Sequence, residues 1–372
     1  MDNLWKETPL IYSSHISEVL QSSAYLKLEN LHPSHSFKYR GISHFIQTAK
    51  KNHGASVHLV IASGGNAGLA AACAARVLEV RCSVFLPEGA TQKTLDLLRR
   101  EKAEVIVIGR HYAEALKAAK GLVDQETDAV MVPAYDDQIL WRGHSSMVHE
   151  ISEQIPDKPD AIFCSVGGGG LLGGLIIGCR DVGWDDVPII ALETIGSDCF
   201  YHSMSLNDQR FNTVSQILPT GVEIIEDKVT GLNLAHFSRF TSKASGSLGA
   251  SQPAAQVVKM ALERKGGVKC VTVPDELSMQ VLGSFADDHK MLVELACSTT
   301  LVPAYKSTLF DMLAPSTSDN KKRTVVFVIC GGFKISLDDA IEYRREADRD
   351  LQNRGGTWDV FYEGGKSFQV GK

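Results

Sequence analysis

Short β-branched runs alternate along this chain with longer stretches whose apolar residues recur at helical spacing. Val57–Ala62 predicts a strand and the alanine-rich Ala67–Glu79 a helix. Cys82–Leu86 predicts a strand, and Gln92–Lys102, with Leu95, Leu97 and Leu98, a helix. Glu104–Ile108 then reads as a strand, Tyr112–Val123 as a helix and Ala129–Val132 as a strand. A second series has a helix from near Gly143 to Ile151, a strand Ala161–Val166, a helix Leu171–Val182, a strand Val187–Leu192 and a late strand Val325–Ile329. This order implies an α/β fold of parallel sheets flanked by helices, with right-handed crossovers.

Two regions carry weaker patterns. Ser203 to Ser251 is polar, and the expectation there is a loop with short helices. A charged helix is expected over Asp338–Gln352, and a mobile end after Arg354-Gly355-Gly356-Thr357.

Composition narrows the function classes. With 372 residues, 44% hydrophobic and 22% charged, the chain has ample material for a large core, as two domains or one large one. A net charge of −6 without a basic stripe argues against nucleic acid. Met1 to Leu20 lacks the apolar core of a signal peptide. Cys164 to Gly178 is too short and glycine-rich to span a bilayer, so no membrane partner is expected. The eight cysteines form no C-x-x-C pair, and several lie in apolar runs. Buried free thiols in a reducing, cytoplasmic compartment are the expectation, not zinc fingers or disulfides.

The candidate chemistry sits in three loops. Lys38 lies in Ser36-Phe37-Lys38-Tyr39-Arg40-Gly41. A lysine that forms a Schiff base must lose its proton, and bulky neighbours such as Phe37 and Tyr39 would exclude water. Alone, the segment also reads as a helix start, with Ser36 as cap and Lys38 in solvent. Ser63-Gly64-Gly65-Asn66 ends a strand and opens a helix, an arrangement suited to a carboxylate, or simply a turn with Asn66 as cap. Gly167 to Gly170 lies between strand and helix, where a backbone without Cβ atoms can wrap a phosphate.

A rival reading starts from the same loop. Gly168-x-Gly170-x-x-Gly173, with Glu193 ending the next strand, fits a dinucleotide fingerprint. It leaves Lys38, the Ser63–Asn66 loop and Cys330-Gly331-Gly332 unexplained, and falls mid-chain with few strands after it. Cys330 reads either as a core cysteine or as a weak hydrogen-bond partner for a pyridine nitrogen. Glu193 reads as a solvated loop residue or as a ligand for a structural cation. No H-E-x-x-H or G-x-S-x-G occurs, which argues against a catalytic zinc or a serine-hydrolase elbow.

Together these segments, with Asp136-Asp137, Trp141-x-Gly143-His144 and Val187-Pro188-Ile189-Ile190-Ala191-Leu192-Glu193-Thr194, resemble the fold-type II pyridoxal-phosphate enzymes. Within them the likeness is to the L-serine/L-threonine dehydratases, from about Thr8 to Gly332. The resemblance implies a two-domain, tryptophan synthase β-like fold. Residues 1–39 plus 137–340 would form the large domain, 40–136 the small one, and 341–372 a C-terminal extension. It implies pyridoxal 5'-phosphate joined to Lys38, flanked by Phe37 and Tyr135, with Asn66 on the ring hydroxyl. Gly167, Gly168, Gly169, Gly170 and Leu171 would hold the phosphate, and Cys330 with Gly331 would face the ring nitrogen. Ser36, Ser63, Gly64, Gly65 and Asn66 would bind substrate, with Lys38, Ser63 and Asn66 catalytic. Glu193 and Cys199 would lie at a monovalent or divalent cation (K+ or Mg2+), and the assembly would be a homodimer.

The implied activity is β-elimination from L-serine or L-threonine, giving a 2-oxo acid (pyruvate or 2-oxobutanoate) and ammonia. Elimination, replacement or racemisation of another amino acid, as in a specialised biosynthetic pathway, stays open, as does a catalytically weak binding or regulatory protein that keeps the cofactor. His35, Tyr39 and an insertion motivate elimination or replacement on a larger or unusual amino acid, whereas racemisation would be favoured by a serine at Gly64, which is absent. The family usually has glycine at His35, an aliphatic residue at Tyr39, phenylalanine at Tyr135 and proline at Leu295. Gly64 replaces the alanine of the most active dehydratases, and about two dozen extra residues fall between Ser203 and Ser242.

Overall fold

A computed structural model describes residues 3–207, 218–316, 322–363 and 365–371. In chain order the strands are β1 (Leu10–Tyr12), β2 (Ser23–Leu28), β3 (His58–Ala62), β4 (Arg81–Leu86), β5 (Glu104–Val107), β6 (Ala129–Met131), β7 (Ala161–Ser165), β8 (Ile189–Thr194), β9 (Val222–Glu226), β10 (Asn233–Phe237), β11 (Val268–Val273), β12 (Thr324–Ile329), β13 (Thr357–Tyr362) and β14 (Lys366–Gly371). One sheet has the order β5-β4-β3-β6, all parallel. The larger runs β1-β2-β12-β7-β8-β11-β13-β14. Its central strands β2, β12, β7, β8 and β11 pair in parallel, and β1, β13 and β14 join antiparallel. The α/β expectation therefore holds. β7, β8 and β12 are buried along their whole length, which explains their unbroken apolar sequences.

Three helices set the framework around Lys38. The helix Lys38–His53 lies against Gln138–Gln154, which in turn lies against Gly170–Asp181. Their close approach needs missing side chains. A Cβ on Gly143 would stand 2.7 Å from Gly41 Cα, and one on Gly178 would stand 2.6 Å from Val148 Cβ. The middle helix begins at Gln138, earlier than the expected start near Gly143, because the Asp137 carboxylate accepts from Ile139 N at 2.7 Å.

A buried charge network locks the first turn of the Lys38 helix. The Arg40 guanidinium donates to Glu29 at 2.7 and 2.8 Å and to Glu150 at 2.5 and 2.6 Å. Lys27 Nζ donates to Glu150 at 2.6 Å, and Thr8 Oγ1 donates to Glu29 at 2.7 Å. Arg40, Lys27 and Glu29 are all fully buried. Two acids thus face two bases, so neither sign is left uncompensated away from water. Burial opposes ionisation of Glu29, but the Arg40 charge and the hydrogen bonds from His32 and Arg40 hold its carboxyl far below the usual range.

Two expectations fail. The Ser203–Ser251 stretch contains, besides helices, the hairpin β9–β10, with Val222 opposite Phe237. Its alternation is short and interrupted at Gly231, which hid it. Residues 208–217 of the expected insertion lie outside the described residues. In place of the mobile end, β13 and β14 form a hairpin that continues the large sheet from β11, and Trp358 is buried beneath it. The preceding helix, Leu337–Asn353, starts on a Ser336–Asp339 capping box and holds Trp358 Nε1 through Asp350 at 2.8 Å.

Glu29→Gln leaves the buried Arg40 half-compensated and is expected to cost about 3 kcal/mol of unfolding free energy in urea titration. Since the folded Glu29 pKa is depressed, its stabilisation is complete above the unfolded value of about 4.3 and drains as pH falls below it. Wild type should therefore lose stability faster than the variant on acidification. Parallel pH profiles would remove Glu29 from this role.

Candidate active site

The loops that follow β3, β7 and β12 open into one cavity of about 410 Å³. Lys38 enters it from the first turn of its helix. Ser36, Phe37, Ser63, Gly64, Gly65, Asn66, Tyr135, Gly167, Gly168, Gly169, Gly170, Leu171, Cys330 and Gly331 line it too. Such a position, at the carboxyl ends of parallel strands, is where open α/β sheets bind ligands.

Lys38 is neither solvated nor paired with a carboxylate. Its Nζ donates to Ala134 O at 2.6 Å and lies 5.3 Å from the Phe37 ring centroid. Removal from water pushes its pKa down to about 8. Ser36 is not the cap of this helix; Phe37 occupies that position without a side-chain bond. The Ser36 hydroxyl is buried beside the cavity with no partner among the described residues. Next to Phe37, at 5.0 Å between ring centroids, His144 is fully buried. Its Nδ1 accepts from Gly41 N at 3.2 Å. Burial, with the Lys38 charge adding, holds its pKa well below the ordinary histidine value, so the ring is neutral and carries its proton on Nε2.

The tetraglycine loop ends at the N-terminus of the helix Gly170–Asp181. Gly169 has φ 94°, a left-handed conformation that lets the loop turn into the helix. A Cβ on Gly168 would collide with the Tyr135 ring, and the Tyr135 hydroxyl donates to Gln252 O at 3.0 Å. A narrow cradle of main-chain groups at a helix N-terminus suits a phosphate.

At the opposite wall Asn66 does not cap its helix; Gly65 takes that place. Instead Asn66 Nδ2 donates to Glu294 Oε2 at 3.0 Å and to Ser247 Oγ at 3.2 Å, and Asn66 Oδ1 accepts from Phe333 N at 3.3 Å. Glu294 and Lys334 belong to the cavity lining, and sequence reasoning gave neither a role. Glu294 had one faint signal, a lone acid within Val293-Glu294-Leu295-Ala296. Lys334 had none.

Glu193 and Cys199 lie apart from the cavity lining. The Glu193 carboxylate accepts from Phe200 N at 3.0 Å and from Tyr201 N at 2.6 Å. Thus Glu193 is not placed for the ribose contact that a dinucleotide fingerprint requires. Among the described residues no cluster of three or more His, Cys, Asp or Glu is set to hold a metal. Two departures from the family pattern acquire physical meaning. His35 has φ 59°, in the left-handed region where glycine is unstrained. Tyr39 is buried in the core, away from the cavity lining.

Comparison with known proteins agrees with this geometry. A family model described as pyridoxal-phosphate dependent enzyme matches residues 1–331. A Bos taurus protein named L-serine dehydratase/L-threonine deaminase is 35% identical over 347 residues, 93% of this chain and 97% of the relative. A Homo sapiens protein named serine dehydratase-like is 35% identical, covering 88% of this chain and 91% of its own length. Among solved structures, a fungal L-serine ammonia-lyase from Rhizomucor miehei superposes with a TM-score of 0.80 at 30% identity, covering 93% of this chain and all of that one.

An amine with a pKa near 8 should react at neutral pH where ordinary lysines do not. In protein freed of cofactor, carbamylation of Lys38 by cyanate is expected to rise with a midpoint near pH 8. Mass-spectrometric peptide mapping reads this directly; a midpoint near 10.4, as for an unperturbed lysine, would show that the amine is solvated.

Proposed function

This chain belongs to the pyridoxal-phosphate dependent enzymes, and from that premise we propose that it deaminates L-serine and L-threonine by β-elimination. The products are a 2-oxo acid, pyruvate or 2-oxobutanoate, and ammonia. One observation carries the reading. A desolvated amine, Lys38, shares a cavity with a glycine loop at a helix N-terminus and with a second polar loop. The residues fit the cofactor on their own geometry: the Gly168–Gly170 cradle has no room for side chains, and the unpartnered Ser36 hydroxyl borders the same space.

The roles follow from position. Gly167 to Gly170 and Leu171 bind the phosphate through main-chain N–H groups and the helix N-terminus. Phe37 and Tyr135 wall the cavity and keep water out. Asn66 is held by Glu294 and Phe333, so its amide is oriented before any ligand arrives. The loop from Ser63 to Asn66 would receive the substrate's carboxylate, and Cys330 would lie against the ring nitrogen. When bound, pyridoxal phosphate supplies the electron sink for charge developing at the substrate's Cα. Lys38 Nζ takes the Cα proton, because its lowered pKa keeps a useful fraction of neutral amine near physiological pH.

Residues 40–136, which contain β3 to β6, are read as a small domain. Residues 1–39 plus 137–340 form the large one, and 341–372 an extension. A homodimer and a cytoplasmic location complete the reading. The eight free cysteines, all buried, favour a reducing compartment. A K+ or Mg2+ ion beside Glu193 and Cys199 belongs to the same reading. Its support is that Glu193 lies buried beside a second buried carboxylate, Asp198.

Lys38→Ala is expected to abolish both the visible absorbance of the purified enzyme and 2-oxo acid release from L-serine and L-threonine. Retained turnover would exclude Lys38 as the base. Exchanging K+ for Na+ in the presence of chelator should lower the melting temperature; an unchanged value would exclude the cation.

A further inference from the structure

We propose that Lys334 supplies the positive charge that binds the substrate's α-carboxylate. The inference rests on the reading that this cavity takes an amino acid. Its ground is the close approach of Lys334 to the backbone of Gly65. A Cβ built on Gly65 would stand 3.4 Å from Lys334 Nζ and 3.7 Å from Ser63 Oγ. The ammonium and the hydroxyl thus lie on the same side of Gly65 with no side chain at position 65 between them, and a carboxylate received over this loop meets both. Gly65 also stands at the N-terminus of the helix Asn66–Leu78, whose free N–H groups favour an anion.

Lys334 is exposed, yet its backbone is tethered. Lys334 N donates to Glu294 Oε1 at 2.7 Å, and the preceding Phe333 N donates to Asn66 Oδ1 at 3.3 Å. The other Glu294 oxygen accepts from Asn66 Nδ2 at 3.0 Å and from Ser247 Oγ at 2.5 Å. A Cβ on Gly332 would collide with the Glu294 carboxyl, so glycine there admits the acid that holds the turn. The segment bearing Lys334 is thus laced to the loop bearing Gly65. Lys38 and Lys334 are the only lysines or arginines in the described lining of the cavity, and Lys38 is engaged with Ala134 O. The main-chain carboxylate site therefore gains one cation, contributed by a residue beyond the Cys330-Gly331-Gly332 segment.

The test uses the purified holoenzyme and its Lys334→Gln and Lys334→Arg variants. L-alanine, which has the same carboxylate and no leaving group, is titrated by the change in the visible spectrum. Its dissociation constant should rise roughly fivefold in Lys334→Gln, the size of one partly exposed charge-assisted bond. Lys334→Arg should restore it within about twofold. Alaninamide, which lacks the carboxylate, should bind both enzymes equally, and added salt should weaken L-alanine binding more in wild type than in Lys334→Gln. Turnover of L-serine should show the change in KM with kcat nearly preserved.

Equal L-alanine affinity in wild type and Lys334→Gln would overturn the inference. So would a loss confined to substrates with a second acidic group, such as 3-hydroxyaspartate, which would assign Lys334 to the side chain instead. Failure of the deamination reading looks different: wild type would bind L-alanine yet release no 2-oxo acid from L-serine or L-threonine. Absence of any amino-acid binding by wild type would overturn both.

Discussion

The buried pairing of Arg40 with Glu29 and Glu150 is the constraint on which the catalytic geometry depends. Arg40 lies two residues beyond Lys38, on the same first helical turn. Its partners come from the short turn after β2, Glu29–Leu31, and from the helix Gln138–Gln154. Planar, bidentate bonds fix the guanidinium in direction as well as distance. A charged pair away from water is poor evidence for net stability, since desolvation consumes most of the attraction. Its effect here is positional. A shift of the helix would strand a charge in a dry interior, so the Lys38 side chain has one place to go.

From that anchor the site is assembled by two sheets. β3, of the four-stranded sheet, delivers the Ser63–Asn66 loop, while β7 and β12 of the larger sheet deliver the tetraglycine loop and Cys330. Glu294 joins the two sources. It holds Asn66 on one side and the backbone of Lys334 on the other. The wall proposed to bind the substrate's carboxylate is therefore a contact between distant parts of the chain. The tetraglycine loop, proposed as the phosphate cradle, is by contrast local to one strand-loop-helix unit. This division matches chemistry in which the cofactor stays and the substrate comes and goes.

Electrostatics within the cavity follow from what is excluded. Lys38 loses affinity for its proton because it is desolvated, its amine donating to the Ala134 carbonyl. His144 stays neutral for the same reason, with one ring nitrogen accepting from Gly41 N. The pocket thus keeps His144 neutral and eases proton loss from Lys38, while the exposed Lys334 lies at the opposite wall.

Much of the chemistry was legible in the amino-acid order alone. The glycine runs, the strand before each of them and the hydroxyl-flanked Lys38 are local features. Backbone freedom and the period of apolar residues act over a few residues, so they survive without knowledge of the fold. The parallel α/β architecture was readable for the same reason. Tertiary structure alone decided that Glu294 and Lys334 enter the cavity and that Glu193 turns instead to the N–H groups of Phe200 and Tyr201. It also decided that the last residues close the large sheet as a hairpin, and that position 35 demands a left-handed backbone. Each of these depends on which distant segment arrives as a neighbour, and long-range pairing, unlike helical or strand period, leaves no repeat in the sequence.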